Sequence, residues 1–462
     1  MRLKKEKKGV LLFSVDPLDV EQEAIYFLQP IAAVIIALFD GERGPEDVAC
    51  ILSKAFDISM DSALRLVQKV LREFNEYFIE YSQDDDRKGL YKKYDPREFV
   101  YCNNEKEELL IRTETPINLV YVVTKKCLCR CIYCYANAGY RFEEKLLPFS
   151  RLIEIFDEAA TIGVSTVMIS GGEPFLRPDI IKVINYIKQK GLFVIISTRA
   201  GLSEEIVKQL KDAGLQKIQV SIDASNPKLA NFLAGSKDCY QQAIQTIKLS
   251  IKNGIEVKTN TVITAYNIND IPNLIALLAN LGVAEINLTP YARSLGRHRE
   301  SLFASTEDLK RLLFWVEEYQ GYSNLKKVTI RYADDVIRRL GNPQSRESFD
   351  QRLFCTAGKL GLVILPDGKV TICERLADVP QAIVGDLMSQ TLLEIWNSEA
   401  LLRLIYPERE KYRGTECYQC EQFDACTKAK GRCFVRSLIA YGTLCAPDPL
   451  CNLAPPIKQR LV

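Results

Sequence analysis

The sequence predicts an α/β protein whose central region is a partial (β/α)6 barrel of the TIM type, with a small α+β module before it and a cysteine-rich segment after it. Three observations lead there. Between residues 116 and 300 six apolar strand patterns alternate with amphipathic helices. Ahead of them lie short strand patterns followed by three helical ones. Behind them most of the remaining cysteines crowd into a turn-rich stretch.

The six strands read INLVYVVT, TVMIS, LFVIIST, KIQVSI, VKTNTVIT and EINLTP. Between them run RLIEIFDEAATIG, IIKVINYIKQKG, EEIVKQLKDAG, YQQAIQTIKLSIKNG and IPNLIALLANLG, each closed by a glycine suited to a helix C-cap. Near-continuous apolar strands alternating with helices imply a parallel sheet with right-handed crossovers. In such folds the chemistry sits at the C-terminal ends of the strands.

Residues 1–85 form the first region, with GVLLFS and AIYFLQ as strands and IAAVIIALFDG, PEDVACILSKAF and SALRLVQKVLREFNEYF as helices. Residues 86–115 are charged and poor in apolar side chains, and read as a linker. Residues 301–354 form a bridging region, with one helix at DLKRLLFWVEEY and a strand at KKVTIRY. Residues 355–462 show little regular structure and would need metal to hold together.

A net charge of +2 over 462 residues carries no electrostatic footprint for nucleic acid or an anionic membrane. The basic opening MRLKKEKK is followed by an apolar run, GVLLF, that is too short for a secretory segment, and no run approaches a membrane span. The expected location is the cytoplasm. There thiols stay reduced, so the clustered cysteines, which make up most of the 15, read as metal ligands rather than disulfides. The single histidine, His298, argues against mixed cysteine–histidine zinc sites and against histidine acid–base chemistry.

Cys127, Cys131 and Cys134 follow the first barrel strand as CxxxCxxC, where the fold would put an active site. Three thiolates ligate three irons of a cubane cluster and leave the fourth open to another ligand. This loop, CLCRCIYCY with Tyr133 before its last cysteine, resembles that of the radical S-adenosylmethionine (SAM) superfamily. The resemblance implies a [4Fe–4S] cluster whose open iron is chelated by SAM. Reductive cleavage of SAM would then give a 5′-deoxyadenosyl radical that abstracts a substrate hydrogen. It also implies SAM contacts from Tyr133, from Gly171, Gly172 and Glu173 after the second strand, from Ser197 and Thr198 on the third, and from Ser221 and Asp223 on the fourth. Singly these motifs have bland alternatives, a zinc site for the cysteines and a turn for GGEP. In order, on successive strands, they are specific. Two positions depart from the family. Arg199 stands where an asparagine is usual, and Ala234-Gly235 where Arg-Gly is common. Arg199 and Lys228 are therefore candidates for the missing SAM carboxylate ligand. Cys129 reads as a spectator, and Cys50, Cys102 and Cys239 as buried small hydrophobes.

The C-terminal cysteines resemble the SPASM domain, which binds two auxiliary [4Fe–4S] clusters and would bring the total to three. Carried over, Cys355, Cys373 and Cys433 would hold auxiliary cluster I, and Cys417, Cys420, Cys426 and Cys451 cluster II. The spacing before Cys433 is stretched to six residues, and Cys445 is a spare that could complete cluster I. A zinc ribbon on Cys417 and Cys420 is the alternative. The N-terminal module resembles the winged-helix-like RiPP recognition element, which binds the leader of a ribosomal precursor peptide as an added strand. A generic helical cap or a DNA-binding winged helix is the bland counterpart.

Together these resemblances imply a peptide maturase of the sactipeptide and ranthipeptide type. Such an enzyme joins cysteine thiols to carbons of a precursor peptide, with a reductant such as flavodoxin or ferredoxin. The alternatives are carbon–carbon crosslinking or epimerisation of a peptide, sulfatase maturation, and a non-catalytic leader-binding or electron-transfer scaffold.

Overall fold

The computed structural model describes residues 2–6, 9–13, 25–74, 93–100, 112–139, 145–320, 327–330, 349, 355–428, 431–457 and 460–461. The chain divides into two compact units, Met1–Glu114 and Thr115–Val462.

In the first unit, β1 (Arg2–Glu6), β2 (Gly9–Phe13) and β3 (Ile25–Leu28) form an antiparallel sheet in the order β1-β2-β3. Every residue of β2 is buried, as its apolar run predicts. β1, RLKKE, has only Leu3 as an aliphatic anchor and no strand pattern of its own. Pairing Leu3 with Leu12 of β2 makes it a strand, a case of tertiary context overriding propensity. Helices α1 (Pro30–Leu38), α2 (Pro45–Phe56) and α3 (Met60–Glu73) follow in the three expected places. Pro45 at the first position and the Asp47 carboxylate, which accepts from Gly44 N–H at 2.9 Å, start α2. Val10, Leu12, Val34, Leu52 and Val67 build the core, together with Phe99 from a 3-10 turn at Pro96–Phe99. That turn lies within the stretch read as a linker, most of which falls outside the described residues. Cys50, expected to be buried, is half-exposed on α2, and Cys102 lies outside the described residues.

The second unit contains all six expected strands as consecutive parallel neighbours. They are β4 (Asn118–Val122), β5 (Thr166–Ser170), β6 (Phe193–Thr198), β7 (Lys217–Ser221), β8 (Glu256–Ile263) and β9 (Glu285–Pro290). The crossover helices are α4 (Phe149–Thr161), α5 (Ile180–Gln189), α6 (Glu204–Asp212), α8 (Cys239–Lys252) and α9 (Ile271–Asn280), and the glycine closing each has positive φ. A further helix, α7 (Pro227–Ala234), lies between β7 and α8. Its signals were local: the Asn226 side chain accepts from Lys228 and Leu229 N–H, Pro227 opens the helix, and Gly235 closes it.

The sheet extends past the six strands at both ends, in the order β10-β9-β8-β7-β6-β5-β4-β11-β12-β13. β10 (Lys327–Ile330), the expected KKVTIRY strand, lies parallel to β9. β11 (Gly361–Ile364) lies parallel to β4, and antiparallel β12 (Lys369–Thr371) and β13 (Ile383–Asp386) complete the edge. The region from Cys355 onward is therefore more regular than the sequence suggests. It holds three strands and the helices Leu392–Trp396, Glu399–Ile405, Phe423–Lys428 and Phe434–Tyr441. The four apolar residues of β11 are too few to read as a strand alone. All four are buried once they pair with β4, more than 230 residues away in sequence.

Candidate active site and auxiliary cysteine sites

The cysteine loop leaves the C-terminal end of β4 and is fixed by main-chain pairing. Cys127 N–H donates to Gly139 O at 3.0 Å, Arg130 N–H to Ala234 O at 2.9 Å and Ile132 N–H to Leu233 O at 3.0 Å. The loop thus docks on the C-terminal end of α7. Ala234 is fully buried there against Cys129 and Cys239, which leaves no room for an arginine. After β9, Arg297 clamps the loop from the other side. Its main-chain N–H donates to Cys134 O at 3.0 Å, and its guanidinium to Cys131 O at 3.0 Å and to Ala138 O. Nothing in the sequence singled out Arg297, although a Gly-Arg pair just after the sixth strand was visible.

All three thiols stand half-buried in this loop. A hydrogen bond from Cys129 pulls the Cys127 thiol down to about 7, and burial pushes Cys131 up to about 12. Cys129 is buried, and its main-chain N–H donates to Cys127 Sγ at 3.4 Å.

The GGE motif meets the same loop. A Cβ on Gly172 would lie 2.0 Å from Lys126 O, and one on Gly171 2.5 Å from Thr124 O, so only glycine allows this approach. Gly172 N–H donates to Thr124 O and Glu173 N–H to Lys126 O, both at 2.7 Å. The Glu173 carboxylate is buried and accepts from Thr198 Oγ1 at 2.7 Å and from Arg199 N–H at 3.0 Å. Burial raises its pKa above the usual carboxylate range. The motif therefore staples the ends of β5 and β6 to the cysteine loop.

Tyr133 and Asp223 come together through Arg199. The Arg199 guanidinium donates to Asp223 Oδ2 at 2.7 Å and to Tyr133 Oη at 3.1 Å, while Tyr133 O–H donates to Asp223 Oδ2. Asp223 is 0% exposed, and its other oxygen accepts from Val262 N–H at 3.0 Å. Arg199 is thus engaged inside the protein, whereas Lys228 is exposed on the first turn of α7. Ser197 accepts from Gln219 Nε2 at 3.0 Å, and Ser221 shares its row with Asn260. Alternation along β6 sends Ser197 to the opposite face from Thr198.

Glu374 was not anticipated. It directly follows Cys373, accepts from Ser170 Oγ at 2.5 Å and from Tyr135 Oη at 3.3 Å, and so links the two cysteine regions. Asp378 pairs with Lys125 in the same span.

The structure gathers the C-terminal cysteines into two sets. Burial raises Cys373 to about 12, and Cys433 and Cys355 add to the rise; Cys355 is raised by burial with Cys433 beside it. Cys433 caps the helix Phe434–Tyr441, and its N–H donates to the buried Asp448, which also pairs with Arg436 at 2.6 Å. In the second set Cys417 is raised to about 11 by burial, with Cys426 and Cys451 beside it, and Cys420 closes a turn on Cys417 O. Cys445 stands with Cys417 and Cys426 at the Tyr412 ring, on the side of the second set.

Among the described residues no three His, Cys, Asp or Glu side chains converge on a single-ion geometry. The donor sets are thiolate throughout, which suits an iron–sulfur cluster or a four-cysteine zinc site. The residues fit the implied groups: Cys127, Cys131 and Cys134 would hold the SAM-binding cluster, and the two C-terminal sets the auxiliary ones.

A parallel βα sheet presenting three thiols on the loop after its first strand defines the class, that of a radical SAM core. The radical SAM superfamily profile matches residues 121–278, and that of the SPASM iron–sulfur cluster-binding domain residues 355–421. The chain therefore carries a radical SAM domain and a SPASM domain. It is 26% identical to an AdoMet-dependent heme synthase of Methanosarcina barkeri, over 75% of this chain and 99% of that protein. It is 27% identical to a PqqA peptide cyclase of Ruegeria pomeroyi, over 74% of this chain and 88% of that protein. In fold it resembles SuiB of Streptococcus suis, with a TM-score of 0.67, 20% identity and 98% of both chains covered. Native anSMEcpe is more distant, with a TM-score of 0.53, 16% identity, and 73% and 93% covered. No described helix is long and apolar enough to cross a membrane.

Proposed function

We propose that this protein modifies a ribosomally made precursor peptide in the cytoplasm, joining a cysteine thiol to a carbon of the same peptide. The observation that carries the reading is the pairing of a SAM-type cysteine loop with a SPASM domain whose first set has three cysteines. Three thiolates would leave one iron of a cubane without a protein ligand, and that iron would supply a place to bind a substrate thiol and favour its deprotonation. The peptide class draws support from the PqqA peptide cyclases and from SuiB, whose structure has been determined with its precursor peptide SuiA. The N-terminal unit has the parts a leader-binding module needs. Its three-stranded sheet ends on β1 and β3, where an extended leader could add as a further strand, and the edge strand β3 shows Phe27 43% exposed.

When bound, the first cluster and SAM together supply a hydrogen-abstracting radical. The chain's own residues prepare the place. Gly171 and Gly172 let the strand ends close on the cysteine loop. Glu173 holds Thr198 and the Arg199 main chain in register. Arg199 ties Tyr133 to Asp223, which keeps the aromatic beside Cys134 from rotating. Glu374 ties the Cys373 loop to Ser170 at the end of β5, beside the GGE motif. Each crosslink removes one hydrogen atom from carbon and one proton from the thiol, and the auxiliary clusters, which the C-terminal cysteines would hold, would supply the route by which the remaining electron passes to a ferredoxin- or flavodoxin-type carrier.

The test is incubation of reconstituted protein with SAM, reductant and the cysteine-bearing peptide encoded nearest the gene. Thioether formation gives a product lighter by two hydrogens per crosslink that no longer reacts with iodoacetamide. A second reading, carbon–carbon crosslinking, is favoured by the peptide cyclases among the relatives. It gives the same mass loss with every thiol still alkylatable. An unchanged peptide mass rejects both.

A further inference from the structure

The tripeptide Gly431–Arg432–Cys433 joins the two auxiliary cysteine sets. Gly431 N–H donates to Cys426 O at 2.9 Å, on the second set, and a Cβ on Gly431 would lie 3.6 Å from Cys355 Cβ, on the first. Cys433 belongs to the first set. Arg432, between them, is only 6% exposed. Its guanidinium lies 4.3 Å from the Tyr412 ring centre and 4.8 Å from that of Phe423, and donates to Thr427 Oγ1 at 3.0 Å. It lines one cavity with Cys355 and Lys359, and its charge also acts on the Cys417 thiol.

Arg432 has no carboxylate partner among the described residues. Arg436, four residues on, is paired with Asp448. Removing a cation from water without an anion costs several kcal/mol, so a buried guanidinium among aromatic rings calls for negative charge nearby. The neighbours able to supply it are thiolates: Cys417, on which the Arg432 charge acts, and Cys355, which lines the same cavity and is also acted on by Lys359 and Arg436. A [4Fe–4S] centre held by thiolates becomes more negative on reduction, and a fixed cation in a low-dielectric setting favours that reduced state.

We infer that Arg432 is a buried counter-charge shared by the two auxiliary clusters, which raises their reduction potentials and keeps them able to accept the electron released by substrate. The inference rests on the reading that both sets hold [4Fe–4S] clusters. Arg432 is a positioning residue, acting through the clusters rather than on substrate.

The experiment uses the full chain with Cys127, Cys131 and Cys134 changed to alanine, so that the auxiliary clusters are observed alone. Iron and sulfide are counted first. Fewer than two clusters' worth of iron in this parent overturns the two-cluster reading, independently of Arg432. R432Q and R432K are then compared with the parent by redox titration followed by electron paramagnetic resonance. The expected result is a shift of at least one auxiliary midpoint to more negative potential in R432Q, and potentials near the parent's in R432K. Unchanged midpoints in R432Q, or an equal shift in R432K, overturn the inference. Should R432Q bind less iron, full loading of R432K supports the charge requirement, and equal loss in both variants overturns it.

Discussion

The loop bearing Cys127, Cys131 and Cys134 and the segment bearing Cys355 to Cys451 both present clustered thiols, and the fold holds them differently. The loop borrows rigidity from its surroundings. It is hydrogen-bonded to the end of α7, clamped by Arg297, and stapled by Gly171 and Gly172 to strand ends that are themselves buried in the sheet. The auxiliary segment is anchored through β11 to β4, but its cysteines ride on turns and helices of six to eight residues, Phe423–Lys428 and Phe434–Tyr441. Among them Arg432 is buried without a carboxylate partner among the described residues. The first is braced by the fold on several sides; the second is expected to depend more on what binds in it.

The largest expected effect separates the two directly. Changing Cys127, Cys131 and Cys134 together to alanine abolishes 5′-deoxyadenosine formation from SAM while leaving the auxiliary iron in place. Loss of both, measured by product analysis and iron content, would break the contrast. Next is removal of iron from the whole protein with an anaerobic chelator. Amide hydrogen exchange should rise strongly across residues 410–457 and little across β4 to β9, because metal binding and folding are coupled where the fold alone does not hold the ligands. Uniform protection after iron removal would refute the distinction.

Arg199→Gln comes third. It leaves the buried Asp223 carboxylate uncompensated, which costs about 3–5 kcal/mol. Thermal or denaturant unfolding should show a loss of that order, with weaker SAM binding through the released Tyr133. The smallest effect concerns pH. Burial holds the Glu173 carboxyl above its ordinary range, so the folded state keeps this proton more tightly than the unfolded chain does. The stability linked to it is complete below the ordinary glutamate range and lost as pH rises through the raised value. The Tm of the wild-type protein should fall more steeply across that window than that of Glu173→Gln. Parallel curves would show that Glu173 titrates normally.

Several of these residues could be named before any coordinates, and others could not. The six barrel strands were legible because strands buried on both faces are apolar throughout, and the crossover helices because a glycine closes each one. The cysteine loop was legible because its spacing is local. β1 was not, since a strand with one aliphatic residue exists only through its partner. The regular part of the C-terminal region was hidden because β11 is four residues long. Arg297 and Glu374 were invisible because each acts on atoms at least 150 residues away in sequence.

By itself the sequence determined the alternation of strands and helices and the CxxxCxxC loop, since each depends on residue type and local spacing; the division of the later cysteines into two sets came from their resemblance to the SPASM domain. Tertiary structure decided what each polar group is bonded to. It gave Glu173 to Thr198 and the Arg199 main chain, Arg199 to Asp223, and the edge of β4 to β11, and it placed Arg432 between the two auxiliary sets. The physical reason is that a buried charge or an open strand edge must find a partner somewhere, and only the folded chain settles which group is near enough to serve.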